Sequence, residues 1–196
     1  MARPREFDED EATEAAMNVF WHHGYDAASI ALLLDGMGMT KGSLYKAFAD
    51  KKSLFMASMA RYETAQVAPA IAMLRDPDVP EGHDRIAALF RSVVEVVRQG
   101  DRRGCLLCSA AAGPAFDDHE IADVVDGLLE DMRAAFEVAL AEMTRPPDAR
   151  SEMARVLVTQ YVGLRILARA QATAEDLDRS VEAMLALIDP ERVRAA

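Results

Sequence analysis

The stretch from Ser29 to Leu54 constrains the fold of this chain more than any other segment. Ser29 can cap a short apolar helix, which Gly36 and Gly38 break within three residues. Thr40 can then cap a second short helix, whose apolar residues share one side because successive residues turn by about 100°. The opposite side is small, basic and hydroxylated, with Lys41, Gly42, Tyr45 and Lys46. Two short helices joined by a glycine turn predict a helix-turn-helix.

A helix-turn-helix that binds DNA lays its second helix in the major groove. Lys41 and Lys46 carry charge for phosphates or guanine edges, and the Tyr45 hydroxyl can donate to a phosphate oxygen. Gly42 lets the backbone approach closely. The pattern fits DNA binding, but it fits equally an ordinary pair of packed helices with solvated lysines, because the same geometry also occurs in proteins that never touch nucleic acid.

Asp50 predicts the cap of a third helix, with Lys51 and Lys52 in its first turn. The backbone N–H groups of such a turn are free, so they can join the two lysines on a phosphate. We expect this helix to run past Tyr62 to the neighbourhood of Pro69.

At these residues the sequence resembles the TetR family of bacterial transcriptional repressors. The similar positions, all at the family's spacing, are Phe20, Gly24, Tyr25, Ser29, Gly38, the run Thr40 to Tyr45, Phe48, Lys51 and Leu54, and the opening Arg3 to Asp8 is similar to the start of many members. The resemblance implies sequence-specific DNA binding through Ser29, Thr40, Lys41, Gly42, Ser43, Tyr45, Lys46 and Lys51. Two positions that are usually polar in the family are Ala31 and Leu32 here, so more of the readout should fall on residues 40 to 46.

Composition indicates an all-α chain. Of 196 residues, 51% are hydrophobic, and only 10 Gly and 8 Pro interrupt long runs of helix-forming residues. About nine helices are expected, divided into a helix-turn-helix head (residues 1–55) and a helical ligand-binding and dimerisation body (residues 56–196). The apolar sets of the last two helices are too broad for one neighbour each. The resemblance implies that these helices form a four-helix bundle with a second subunit, in which Gly163 would allow close approach.

The net charge of −11 would oppose DNA binding if it were spread evenly along the chain, but it is not. Residues 36 to 52 hold four lysines and one aspartate, whereas residues 63 to 196 hold 15 Lys/Arg against 24 Asp/Glu. The positive charge is thus local, and the acidic body would discourage non-specific wrapping of DNA.

The body supplies more aromatic, Met and Leu side chains between residues 86 and 140 than two packed helices usually need. We expect a small, mostly apolar ligand to bind there and release the operator, with Phe90, Cys105, Phe116, Met132 and Phe136 as its lining. A filled core is the alternative.

Cys105 and Cys108 lie at i and i+3, on one face of a short apolar helix. Cys105 would begin that helix next to Arg102 and Arg103, where backbone dipoles and cations lower a thiol's pKa. The segment from Gly104 to Leu107 resembles one in a branch of TetR-like repressors, some of which sense electrophiles or oxidants through cysteine. A redox or electrophile sensor acting through Cys105 is therefore an alternative, and two cysteines packed in the core are another.

No catalytic or phosphate-loop motif occurs, and no second Cys/His pair stands at zinc-ligand spacing, so we expect no enzyme, no cofactor and no metal. A helical enzyme, or an adaptor that has lost DNA binding, is the remaining alternative. The start of the chain lacks the pattern of a signal peptide, and no apolar run approaches the length of a membrane helix, so we expect a cytoplasmic protein.

Overall fold

The computed structural model of the chain describes residues 8–143 and 146–189, and every regular element among them is helical. The first elements are α1 (Glu9–His23), α2 (Ile30–Met37), α3 (Lys41–Ala47) and α4 (Lys51–Tyr62), which continues through a π-helical turn (Glu63–Val67) into α5 (Ala68–Leu74). They are followed by α6 (Gly82–Arg98), α7 (Leu106–Ala111), a 3-10 turn (Pro114–Asp117), α8 (His119–Ala141), α9 (Pro147–Arg169) and α10 (Ala174–Ile188). With α4 and α5 counted as one continuous rod, the described residues form nine helices. This confirms the predicted all-α fold, while Arg3 and Arg5 lie outside the described residues.

The helix starts are fixed by side chains that accept hydrogen bonds from free backbone N–H groups. Ser29, Thr40 and Thr173 cap α2, α3 and α10 in this way. Asp50 caps α4 and forms a reciprocal capping box with Ser53. The starts of α2, α3 and α4 agree with the sequence prediction.

The prediction that Gly36 helps to end α2 was wrong, because Gly36 lies inside the helix. A Cβ atom at this position would come within 2.4 Å of Val19 Cγ2 on α1. Gly36 therefore allows α1 and α2 to cross closely. Gly38 alone ends α2, in the left-handed conformation that glycine adopts readily.

The prediction that the helix from Asp50 ends near Pro69 was also wrong, because the rod continues to Leu74. A π-helical turn widens the backbone just before Pro69, which then stands in the first turn of α5. Proline lacks the N–H that would continue the helical bonds, and the wider π-helical turn accommodates it within the rod.

A connected hydrophobic core runs from Ala16 in α1 to Ile188 in α10. In the head, α1 packs against α2 and α4, and in the body α8 packs against α9 while α6 packs against α10. Helix α7 touches both α1 and α8. Cys105, which precedes α7, therefore lies where head and body meet.

Candidate nucleic-acid interface and thiol pocket

Helix α3 buries one face and leaves the other uncovered. The Thr40 hydroxyl accepts a hydrogen bond from the Ser43 N–H at 3.2 Å, and the buried Leu44 fixes the helix against the core. Lys41, Gly42, Tyr45 and Lys46 are exposed on the other side. Neither lysine forms an ion pair with a residue in the described part of the chain, so both charges are open to an anionic partner.

The exposed part of α2 is less polar than α3. The Ser29 hydroxyl accepts a hydrogen bond from the Leu32 N–H at 3.2 Å, so it is partly occupied by capping. Ala31 and Leu32 point to solvent, with Leu32 39% exposed. Neither side chain has a hydrogen-bonding group, which leaves α3 as the better-equipped surface for reading bases.

The two lysines at the start of α4 have different surroundings. Lys51 lies 4.6 Å from the Tyr25 ring centroid and donates to the Asp26 carbonyl at 3.4 Å, and burial lowers its pKa. It forms no ion pair with another described residue, although the nearby Asp26 carboxylate opposes the lowering of its pKa. The Lys52 ammonium instead lies 2.8 Å from a carboxylate oxygen of Asp118 and 2.8 Å from one of Glu120. Lys52 thus forms ion pairs between the head and the start of α8, and does not face a phosphate.

The five predicted ligand-lining residues do not come together. Phe90 and Phe136 are fully buried, with ring centroids 6.0 Å apart, and they act as core. Phe116 is half-buried against the core. Cys105 and Met132 do line a common cavity, which is enclosed between the α4–α5 rod, α8 and α9. Its volume of about 20 Å³ is enough for about one water molecule.

The thiols of Cys105 and Cys108 lie in a cluster of polar groups. Cys105 is 8% exposed and is the residue that precedes α7, as predicted. The Tyr62 hydroxyl donates to Cys105 Sγ at 3.5 Å. Arg165 Nη2 donates in turn to the Tyr62 hydroxyl at 3.2 Å and to the Gly104 carbonyl at 2.7 Å.

These contacts shift the two thiols in opposite directions. The hydrogen bond from Cys108, the positive charge of Arg165 and the hydrogen bond from Tyr62 lower the pKa of Cys105, although burial opposes the shift. Hydrogen bonding to Cys105 and burial raise the pKa of Cys108. Cys105 is therefore the more acidic thiol of the pair.

The cation near Cys105 is Arg165 of α9, which the sequence analysis missed. The predicted cations have other partners: Arg102 donates to the Ala172 carbonyl at 2.9 Å, and Arg103 pairs with Asp101. No local sequence signal could have identified Arg165, because it lies 60 residues after Cys105 in the chain.

An open pocket of about 410 Å³ leads from solvent to both thiols. Its wall includes Tyr25 from the head, Ser109 from α7 and Arg165 from α9. A molecule in this pocket would contact the head, the body and the thiols at once.

The loop before Cys105 is fastened to α1. The Trp21 Nε1–H donates to the Gly104 carbonyl at 3.2 Å, and the Arg103 guanidinium lies 3.9 Å from the Trp21 ring centroid. Arg169 donates to the Trp21, His22 and Arg103 carbonyls. The loop before Cys105 is therefore joined to the last turn of α1, both directly and through Arg169 of α9.

Comparison with known proteins supports a family assignment. A sequence profile described as "Bacterial regulatory proteins, tetR family" matches residues 12–57. YezE of Bacillus subtilis, an uncharacterised HTH-type transcriptional regulator, is 25% identical over 96% of this chain and 100% of its own length. ComR of Escherichia coli, an HTH-type transcriptional repressor, is 29% identical over 89% of this chain and 86% of its own.

Solved structures give the same result. A cysteine mutant of the TetR family regulator CifR, in complex with a 26-bp operator DNA, has 30% identity and a TM-score of 0.81 over 93% of this chain and 98% of its own. The reduced form of NemR from E. coli, at 19% identity and a TM-score of 0.76 over 92% of this chain and 94% of its own, shares the fold.

Two other features are absent from residues 8–143 and 146–189. None of the helices there combines the length and hydropathy needed to cross a membrane. Within the same residues, no three His, Cys, Asp or Glu side chains converge as they would around a metal ion.

Proposed function

Because this chain belongs to the TetR family of bacterial regulatory proteins, we propose that it represses transcription by binding a double-stranded DNA operator as a homodimer. The observation that carries the proposal is the uncovered face of α3, where Lys41 and Lys46 are exposed and unpaired within the described residues. A buried anchor and a capped start hold this short helix in a fixed direction. Such a helix can enter a major groove without rearranging.

The residues of this surface divide into two roles. Lys41 and Lys46 face base edges, while Tyr45 and Lys51 hold the phosphate backbone. Lys51 suits that role because its ammonium lies over the Tyr25 ring, which limits its freedom before DNA binds. A Cβ atom on Gly42 would meet nothing within 4 Å, so the groove wall can approach the backbone there.

Homodimerisation is supported by the surface of α9 and α10. Several large apolar side chains there are exposed, namely Val156, Ile166, Leu167 and, at 76% exposure, Leu187. A Cβ atom on Gly163 would meet nothing within 4 Å in the same protomer, which leaves room for a partner helix. One α3 helix reads only a few base pairs, so two copies are needed for useful specificity.

Release of the operator by a small molecule completes the proposal, with the head at residues 1–55 and the effector site in the body at residues 56–196. The enclosed cavity beside Met132 must widen before it accepts an apolar ligand. The open pocket is already large enough and reaches Cys105, which favours the thiol as the effector site. In this proposal the protein is a cytoplasmic regulator without enzymatic activity or a cofactor.

The test combines oligomeric state and DNA stoichiometry. Light scattering at micromolar protomer concentration should give a dimer, and fluorescence anisotropy should give one dimer per two half-sites. A fragment with a single half-site should bind at least about tenfold more weakly, because each correct base pair contributes about 1–3 kcal/mol. A monomer, or equal affinity for one and two half-sites, would refute the proposal.

A further inference from the structure

We infer that the open pocket between head and body binds a small organic carboxylate, and that the bound ligand acts on DNA through Lys51. The inference names the class of effector and its route to DNA, so it rests on the proposed function for that route. Binding of the carboxylate itself is a property of the pocket. The wall combines cationic and apolar side chains, namely His23, Ala27, Ala112, Arg165, Ile166 and Arg169.

Two arginines of α9 supply the charge. Arg165 and Arg169 stand at i and i+4, so both side chains lie on the same side of the helix, and both line the pocket. Each guanidinium donates three hydrogen bonds, all to neutral hydroxyl or carbonyl oxygens. A guanidinium has five N–H donors, so neither group is saturated. Like charges at this spacing repel each other, and an anion in contact with both removes the repulsion.

The carboxylates near these arginines have other cations beside them. Hydrogen bonds from Arg103, at 2.6 to 3.1 Å, lower the pKa of Asp101, and the charge of Arg165 adds to this shift. Asp101 lines a separate cavity, together with Arg103. Asp26 does belong to the wall of the open pocket, and its charge attracts the Lys51 ammonium. The arginines of this wall therefore outnumber its carboxylate, which favours an anionic ligand.

The rest of the wall suits the hydrocarbon part of such a ligand. Ala27 comes from the turn after α1, Ala112 from the end of α7 and Ile166 from α9. The volume of about 410 Å³ lies in the range of about 300–1,000 Å³ in which proteins bind small organic molecules. An inorganic anion would leave most of this space empty. The pocket therefore fits a carboxylate attached to an apolar body.

The turn on the head side of the pocket also supports a proposed DNA contact. Tyr25 and Asp26 both lie in the pocket wall. The Lys51 ammonium lies 4.6 Å from the Tyr25 ring centroid and donates to the Asp26 carbonyl at 3.4 Å. The Tyr25 ring also packs on Phe55 of α4, with 4.8 Å between the ring centroids. A ligand that displaces this turn therefore displaces the groups that hold Lys51 for a phosphate.

The first experiment measures ligand binding without DNA. The probes are 2-naphthoate and 4-phenylbutanoate, each compared with its primary amide, which has nearly the same shape and no charge. Isothermal titration calorimetry of the full-length protein should show each carboxylate binding at least about tenfold more tightly than its amide, because hydrogen bonds to an anion are about twice as strong as neutral ones.

Variants then place the ligand in the pocket. Arg165→Gln removes a charge from the wall, and Ala112→Phe fills the pocket from an exposed position without removing a hydrogen bond of a side chain. Each should weaken carboxylate binding at least about tenfold. Arg179→Gln, which changes an exposed arginine of α10, is the matched control and should leave binding unchanged. Cys105→Ser should also bind like the wild type, because the proposed contacts involve no thiol.

The second experiment measures the route to DNA. In fluorescence anisotropy, saturating carboxylate should lower the operator affinity of the wild type at least about fivefold. Operator DNA should weaken carboxylate binding by the same factor, because coupling between two binding sites is reciprocal. Lys51→Ala should still bind the carboxylate, but the carboxylate should then change its DNA affinity less than twofold.

Each contrary result has a distinct meaning. Amides that bind as tightly as the carboxylates, loss of binding in Cys105→Ser, or binding that Ala112→Phe and Arg165→Gln leave unchanged would overturn the carboxylate site. Carboxylate binding without an effect on operator affinity, or full coupling in Lys51→Ala, would overturn the route through Lys51. Failure of the protein to bind any DNA would count against the proposed function alone, because the calorimetry does not depend on DNA.

Discussion

Arg169 should contribute to stability well beyond what its exposed position suggests. It is the last residue of α9, yet Nη1 donates to the Trp21 carbonyl at 3.3 Å and to the Arg103 carbonyl at 2.9 Å, and Nη2 donates to the His22 carbonyl at 3.0 Å. The Trp21 and His22 carbonyls belong to the last turn of α1, where helix carbonyls lack partners of their own. Replacing Arg169 with Met keeps the aliphatic stem and removes all three bonds.

The expected loss is about 1.5–3 kcal/mol in the free energy of unfolding, for three bonds at the values below. A hydrogen bond to a charged group contributes about 1.5–3 kcal/mol when it is buried, and exposure to water reduces this to roughly 0.5–1 kcal/mol each. For a chain of this length, 1 kcal/mol corresponds to about 2–4 °C in the melting temperature, so the midpoint should fall by about 3–12 °C.

The assay is urea and thermal unfolding followed by circular dichroism, with all variants at one protomer concentration because dimerisation affects stability. Arg179→Met is the matched control. Arg179 is an exposed arginine whose carboxylate partner, Asp176, belongs to its own helix, and its replacement should cost less than about 0.5 kcal/mol. Equal losses for the two variants would refute the view that Arg169 fastens the head to the body.

Three further predictions follow from individual contacts. Lys51→Ala should weaken binding to all DNA sequences about equally and lower the slope of log affinity against log salt by roughly one unit, and an unchanged slope would remove Lys51 from the interface. Gly82→Ala should lower the free energy of unfolding in urea by more than about 2 kcal/mol, because the new Cβ would lie 1.8 Å from a carbonyl oxygen of α8. Gly127→Ala is the control: its Cβ would meet nothing within 4 Å, so it should stabilise the protein by up to about 1 kcal/mol. Lys52→Met should raise the pKa of Asp118, since a hydrogen bond from Lys52 lowers it in the wild type. Carbon-detected NMR titration of Asp118 measures this pKa, and an unchanged value would show that the ion pair does not persist in solution.

Local chemistry explains why the helix starts could be predicted. Ser29, Thr40 and Asp50 each accept from the N–H group three residues on, so the signal for each lies within one helical turn of sequence. The helix interiors were harder. Glycine and proline usually break helices. Here the close crossing of α1 and α2 requires Gly36 inside α2, and the π-helical turn accommodates Pro69.

The outer face of α3 was predictable for the same reason, because helical periodicity alone separates Lys41, Tyr45 and Lys46 from the buried Leu44. The thiol site was only half predictable. Sequence placed Cys105 at a helix start, but its cation, Arg165, comes from a helix 60 residues away. Tertiary contacts of this kind have no spacing rule in a single sequence.

Selection of genomic DNA fragments by the reduced dimer tests the central claim most directly. The wild type should enrich a small set of fragments that share an inverted repeat, because two identical α3 helices read it from a two-fold axis. Lys46→Ala should reduce that enrichment, while Arg179→Met, which lies far from α3 in the sequence, should keep it. No enriched fragments from a folded, dimeric wild type, or the same enrichment from Lys46→Ala, would contradict the assignment of α3 as the surface that reads DNA.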